Sequence, residues 1–156
     1  MVKLLFICLG NICRSPSAEG VFRALLLREG LQAHIIVDSA GTAAYHQGEA
    51  PDPRAQATAV ARGYDLSGQR ARQVRPQDCQ DFDYLVVMDS ANYQAMQQHC
   101  PNSSKLMYLL EAAPELGLRE VADPYYGGVQ GFATMFDHIE QACAALLQQL
   151  RQRHSF

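Results

Sequence analysis

Hydrophobic and polar positions along this chain fall into two alternating kinds of segment. Short, nearly continuous apolar runs occur at residues 3–8, at Ile35-Ile36-Val37, from Phe82 to Met88 and from Lys105 to Leu109. Apolar runs of this length predict strands buried on both faces. Between them the apolar positions take helical spacing. Val21, Phe22, Leu25 and Leu26 form one stripe, opened by Ser15-Pro16 and closed by Gly30; Ser caps a helix, Pro suits its first turn, and Gly tolerates the left-handed end. Residues 54–62 are Ala-rich and stop at Gly63, and a further helix runs from Asn92 to His99 before Pro101. A long amphipathic helix over 131–153 places Phe132, Met135, Phe136, Ile139, Cys143, Leu146, Leu147 and Leu150 on one side. Residues 41–54, 64–76 and most of 110–130 read as loops. Strands alternating with helices predict βαβ units, an α/β fold with a parallel sheet covered by helices on both faces. No repeat, low-complexity stretch or linker interrupts the pattern, so residues 1–156 are expected to be a single domain.

Composition narrows the class. A hydrophobic fraction of 48% supports a core, while 19% charged residues and a net charge of −3 create no basic field for nucleic acid or an anionic membrane. Five cysteines, an odd number without Cys-x2-Cys pairs, disfavour a disulfide framework, and no His cluster has metal-ligand spacing. No metal or cofactor is expected. With no apolar run of transmembrane length and no signal-peptide core, the expected location is the cytoplasm.

The chemistry concentrates where the first strand ends. Cys8-Leu9-Gly10-Asn11-Ile12-Cys13-Arg14-Ser15 follows that strand and leads into a helix. A helix N-terminus offers unpaired N–H groups and positive dipole, and a tight loop above it can form a nest for phosphate. Arg14 adds a planar fork matched to a phosphate dianion. The same field favours a thiolate, the nucleophilic form of cysteine. Cys8 is therefore the candidate to attack phosphorus while its loop holds the oxygens; the alternative is a buried strand-end cysteine beside a solvated arginine. Attack on an ester also needs a proton donor for the leaving oxygen. Asp123, in Ala122-Asp123-Pro124-Tyr125-Tyr126-Gly127, is the best candidate, since Pro124 keeps it extended and off a helix. A plain Asp-Pro turn is the other reading of that run.

The loop Cys8–Pro16, the segment Asp38-Ser39-Ala40-Gly41-Thr42 and the late Asp123-Pro124-Tyr125-Tyr126-Gly127 together resemble the low-molecular-weight protein tyrosine phosphatase family across essentially the whole chain. The resemblance implies a four-stranded, doubly wound parallel sheet, a flavodoxin-like three-layer sandwich, and hydrolysis of phosphotyrosine and aryl phosphates through a phosphocysteine. Carried onto this chain, it makes Cys8 the nucleophile, Arg14 the phosphate clamp and Asp123 the acid and then the base. Leu9, Gly10, Asn11, Ile12, Cys13 and Ser15 complete the phosphate-binding loop. Ser15 would bond the Cys8 sulfur, Asn11 would hold an otherwise unfavourable backbone conformation, and Ser39 would support that network.

Tyr45 matches the family's aromatic position facing the pocket, and with Tyr125, Tyr126 and Leu9 it would wall an apolar slot too deep for phosphoserine; a surface loop tyrosine is the alternative. Cys13 resembles a redox guard able to trap oxidised Cys8 as a disulfide, or else a loop-packing thiol. Some members carry a histidine where this chain has Gly68, so the network must be shorter or use another donor. Arg70, Arg72 and Arg75 make a small basic cluster that reads as solvated surface, with recruitment of an acidic or phosphorylated partner as the alternative. Cys79, Cys100 and Cys143 read as structural thiols, and the histidines receive no role. The implied partners are phosphotyrosine proteins, among them a bacterial tyrosine kinase, with a monomer or weak dimer expected.

Two other functions fit parts of the pattern. A thioredoxin-coupled arsenate reductase shares the fold and loop but needs two further cysteines near the rim. A non-catalytic phosphotyrosine-binding module would dispense with Cys8 or Asp123, and both are present.

Overall fold

The computed structural model describes residues 1–125 and 127–156. Four parallel strands, β1 (Val2–Cys8), β2 (Ile35–Gly41), β3 (Tyr84–Val87) and β4 (Leu106–Tyr108), form one sheet in the order β2-β1-β3-β4. The helices are α1 (Arg14–Glu29), α2 (Pro53–Ala61), α3 (Asp78–Asp81), α4 (Ser90–His99) and α5 (Val129–His154). The chain leaves β1 towards β2 and later returns to β3 on the opposite side. The carboxyl end of β1 therefore sits where the strand order reverses, the usual ligand position in a doubly wound sheet.

Alternation along β1 shows the two covered faces. Leu4, Phe6 and Cys8 join the larger core with Phe22 of α1 and with Phe132, Phe136 and Leu147 of α5. Leu5 and Ile7 join Leu85 and Val87 of β3, Met96 of α4 and Tyr108 in the smaller one. A strand buried on both sides loses its polar alternation, which is why β1 reads as a continuous apolar run. Phe6 and Phe22 pack as tilted rings 5.8 Å apart. Truncating either to Ala removes a fully buried ring, a loss of about 3–5 kcal/mol.

The differences from the sequence reading have local causes. β2 continues through Asp38-Ser39-Ala40-Gly41 because each residue keeps a β1 partner up to Cys8↔Gly41; polar side chains hid the extension. α3 is too short for periodicity to reveal. Helix α4 starts at Ser90 because Asp89 caps it, accepting from the Asn92 N–H at 2.8 Å. Two 3₁₀ turns, Leu109–Ala112 and Pro114–Leu116, lie within the segment expected to be mostly loop.

One expectation is corrected. Cys79 and Cys100 are not separate thiols but a disulfide, with Cα atoms 5.7 Å apart. Helix α3 precedes β3, and α4 runs back from the carboxyl end of β3 to the amino end of the sheet. Residues 21 apart in sequence thus meet at the edge opposite Cys8. Cys8, Cys13 and Cys143 are free and buried. No helix among the described residues is long and apolar enough to cross a membrane, and no group of metal-ligating side chains occurs among them.

Candidate active site

The Cys8–Arg14 loop is built by tying its carbonyls to the surrounding frame. The Cys8 and Leu9 carbonyls accept from the N–H groups of Thr42 and Ala43 at 2.9 and 3.0 Å, and the Ile12 carbonyl accepts from Asp52 N–H at 2.8 Å. The Cys13 carbonyl accepts the Ser17 hydroxyl at 2.6 Å. With carbonyls engaged outwards, the amide N–H groups are the part of the loop left to meet an anion. Gly41 lets the loop come this close: a Cβ there would stand 2.7 Å from the Leu9 carbonyl oxygen. Asn11 adopts φ 58°, the left-handed conformation that Asn tolerates better than most residues.

The loop opens on a cleft of about 300 Å³ lined by Cys8, Leu9, Gly10, Ile12, Arg14, Tyr45, His46, Asp123 and Tyr125. Arg14 is buried. Its Nη1 donates to Asp89 Oδ2 at 2.6 Å and to the Val121 carbonyl at 3.0 Å, and its Nη2 stands 3.6 Å from Asp123 Oδ2. Burial alone would lower its pKa, but the charges of Cys8 and Asp89 and the Asp89 hydrogen bond hold it above the ordinary arginine value. Asp123 is half-exposed, with Oδ1 accepting from the Tyr125 N–H at 3.1 Å. A thiol, a fixed guanidinium and a half-exposed carboxylate around one cleft suit attack on a phosphate ester with proton transfer to its leaving oxygen.

The low molecular weight phosphotyrosine protein phosphatase family model matches residues 3–155. The chain belongs to that family. It is a protein tyrosine phosphatase, a cysteine-dependent hydrolase. A Synechocystis protein assigned to the low molecular weight protein-tyrosine-phosphatases is 45% identical over 152 residues, 96% of each chain. The low molecular weight protein-tyrosine-phosphatase YfkJ of Bacillus subtilis is 38% identical over 154 residues, 97% of each. Among solved structures, a protein tyrosine phosphatase from Entamoeba histolytica superimposes with a TM-score of 0.95 at 38% identity, covering 99% of both chains.

In this phosphatase the expected supporting residues lie behind the cleft. The Ser15 hydroxyl is 3.0 Å from the Cys8 sulfur, and Asn11 Nδ2 donates to Ser15 Oγ at 2.8 Å and Ser39 Oγ at 3.0 Å. Ser15 caps nothing: α1 begins at Arg14, and its boundary residue is Cys13. Cys13 is buried away from the cleft lining, and burial, with Asp52 and Cys8 nearby, pushes its thiol pKa far up. Tyr45 is 76% exposed at the mouth. The Arg54 guanidinium lies 5.4 Å from the Tyr125 ring centre, and Asp52 holds that arginine at 2.8 Å. Tyr126 lies outside the described residues.

Four residues that line the cleft or hold its loop had no assigned role in the sequence reading. Asp89 had one visible signal, its place just after a buried strand. His46 was given no role, yet it lines the cleft, 6.1 Å from the Tyr125 ring and 2.5 Å from Glu49. Arg72 is not solvated surface: its guanidinium is held by Asp38 and Asp78, and its N–H donates to Asn11 Oδ1 at 3.0 Å. Glu19 is buried, and its carboxylate accepts from the Ser39 hydroxyl at 2.7 Å. The pairs Asp89–Arg14, Arg72–Asn11 and Glu19–Ser39 have no spacing signal, because each joins segments far apart along the chain. The arsenate-reductase alternative finds no relay here, since the disulfide sits at the far edge of the sheet and Cys143 packs in the main core.

Proposed function

We propose that Cys8 is the nucleophile of a two-step phosphotyrosine hydrolysis. The Cys8 thiolate attacks phosphorus, the bond to the phenolic oxygen breaks with its electron pair on oxygen, and Asp123 supplies the proton. Water then attacks the phosphocysteine as Asp123 takes its proton. The S–P bond breaks with the pair on sulfur, and phosphate leaves. Arg14 and the loop amides offset the charge on the transferred group. The observation carrying this reading is that Cys8, Arg14 and Asp123 line one cleft at the carboxyl end of β1.

Tyr45, Tyr125 and Leu9, on the same cleft, support an aromatic slot that favours phosphotyrosine over the shorter phosphoserine. The proposed substrates are phosphotyrosine proteins, with a bacterial tyrosine kinase entering by family resemblance alone. The free thiols of Cys8, Cys13 and Cys143 support a cytoplasmic setting, against which the Cys79–Cys100 disulfide stands as the one exception. The proximity of Cys8 and Cys13 supports a protective disulfide between them after oxidation.

The test is hydrolysis of para-nitrophenyl phosphate at mildly acidic pH without metal, wild type beside Cys8→Ser. Turnover that disappears in the variant is expected; a variant as active as wild type would remove Cys8 from the reaction.

A further inference from the structure

We propose that Glu19 is a positioning residue for phosphocysteine hydrolysis, anchoring one end of a hydrogen-bond chain whose other end is the Cys8 sulfur. The proposal rests on Cys8 being the nucleophile.

One backbone amide fixes the direction of every hydrogen in this chain. The Arg72 N–H donates to Asn11 Oδ1 at 3.0 Å, and a backbone N–H can only donate. That settles which end of the Asn11 amide is oxygen. The Asn11 NH₂ then faces two hydroxyls, Ser15 Oγ at 2.8 Å and Ser39 Oγ at 3.0 Å, and gives one hydrogen to each. Each hydroxyl has accepted from Asn11 and has one hydrogen left to donate. Ser15 Oγ is 3.0 Å from Cys8 Sγ but 3.5 Å from the Ala40 carbonyl, so the sulfur is its better acceptor. Ser39 cannot donate back to an NH₂ group; its acceptor is Glu19 Oε1 at 2.7 Å.

Glu19 is therefore the terminal acceptor that orients the chain. It is 4% exposed, and its second oxygen meets Arg23 Nη2 at 2.9 Å. With its hydrogen donated to the Glu19 oxygen, the Ser39 hydroxyl is a better acceptor for the bond it receives from Asn11. Asn11 needs that hold, because its left-handed backbone is costly for a residue other than Gly. A fixed Asn11 amide in turn directs the Ser15 hydrogen onto sulfur, where it stabilises the thiolate as the S–P bond breaks. Gly68 brings no side chain to this network; Glu19 occupies its end. Glu19 borders a separate polar pocket with Arg23, Asp38 and Gln69, not the substrate cleft, so its effect belongs on departure of the thiolate rather than on substrate binding.

The test uses steady-state and burst kinetics of para-nitrophenyl phosphate hydrolysis by Glu19→Ala, Ser39→Ala, the double variant and Glu19→Gln, beside Cys8→Ser. Each single alanine variant should lower kcat about five- to tenfold with KM within about twofold, while the phenol burst persists as the second step slows. The double variant should fall no further than the slower single one, because both changes cut the same chain. Glu19→Gln is nearly isosteric and keeps an oxygen for Ser39, so it should recover most of kcat and guards against a folding defect. Unchanged kcat in both alanine variants, losses that multiply in the double variant, or a Gln variant as slow as the Ala one would overturn the proposal while leaving Cys8 in place. Full turnover by Cys8→Ser would overturn the nucleophile assignment and this proposal with it.

Discussion

The Asp89 carboxylate serves two segments with its two oxygens: Oδ2 accepts from Arg14 Nη1 at 2.6 Å, and Oδ1 accepts from the Asn92 N–H at 2.8 Å. One side chain thereby starts α4 and fixes the guanidinium that faces Cys8. The two tasks can be separated. Asp89→Asn keeps an N-cap oxygen but removes the charge facing Arg14. It should keep the cap yet lower the melting temperature by about a few degrees, because the buried guanidinium loses its partner, and lower kcat/KM about tenfold, the scale of one charge-assisted hydrogen bond. Asp89→Ala should lose the activity and also about 1 kcal/mol of stability for the missing cap. Denaturant unfolding beside steady-state kinetics reads both effects.

Glu19 sets a pH dependence of stability. Burial raises its pKa above the ordinary 4.5 despite the opposing bonds from Ser39 and Arg23. A carboxyl that holds its proton more tightly when folded stabilises the fold at low pH, and that contribution is lost as pH rises through the folded pKa. Glu19→Gln removes the penalty of the buried charge. Its melting temperature relative to wild type should therefore be higher at pH 7 than at pH 4. A difference that runs the opposite way would show that the Arg23 pair outweighs desolvation.

The Cys79–Cys100 bond closes a loop at the edge of the sheet away from Cys8. Opening it with a dithiol, or by Cys100→Ser, should destabilise the fold by up to about 3 kcal/mol, the chain-entropy value for a loop of this size. The kcat of the folded protein should not change. A parallel loss of kcat at temperatures well below melting would mean that this edge communicates with the Cys8–Arg14 loop.

Tyr45 stands at the mouth of the cleft and is largely exposed. Tyr45→Ala should raise KM for aryl phosphates about three- to tenfold with little change in kcat or melting temperature, because it removes one wall of the slot and no core contact. An unchanged KM would take Tyr45 out of substrate recognition.

Cys13 is buried beside Cys8, and its thiol is held in the protonated form. Peroxide inactivation of the wild type should reverse with dithiol, whereas Cys13→Ser should recover less, because its Cys8 oxidises beyond the sulfenic acid. Mass spectrometry of the peroxide-treated protein should find a Cys8–Cys13 disulfide. Equal recovery by the variant would end that role.

The sequence by itself determined the order of elements and the chemical identity of the loop. Apolar strand runs and helices closed by Gly30 and Gly63 are local signals, because burial and backbone conformation act residue by residue. Cys8, Arg14 and Ser15 were legible for the same reason: strand, loop and helix start are contiguous, and a phosphate nest is made from contiguous backbone. Only the tertiary structure decided what surrounds them. Asp89 reaches Arg14 across 75 residues, Arg72 reaches Asn11 across 61, Ser39 reaches Glu19 across 20, and Cys79 reaches Cys100 across 21. Those partners meet because parallel strands bring their carboxyl ends to one edge and their amino ends to the other. A hydrogen bond or disulfide between distant segments depends on that registry, and no spacing along the chain encodes it.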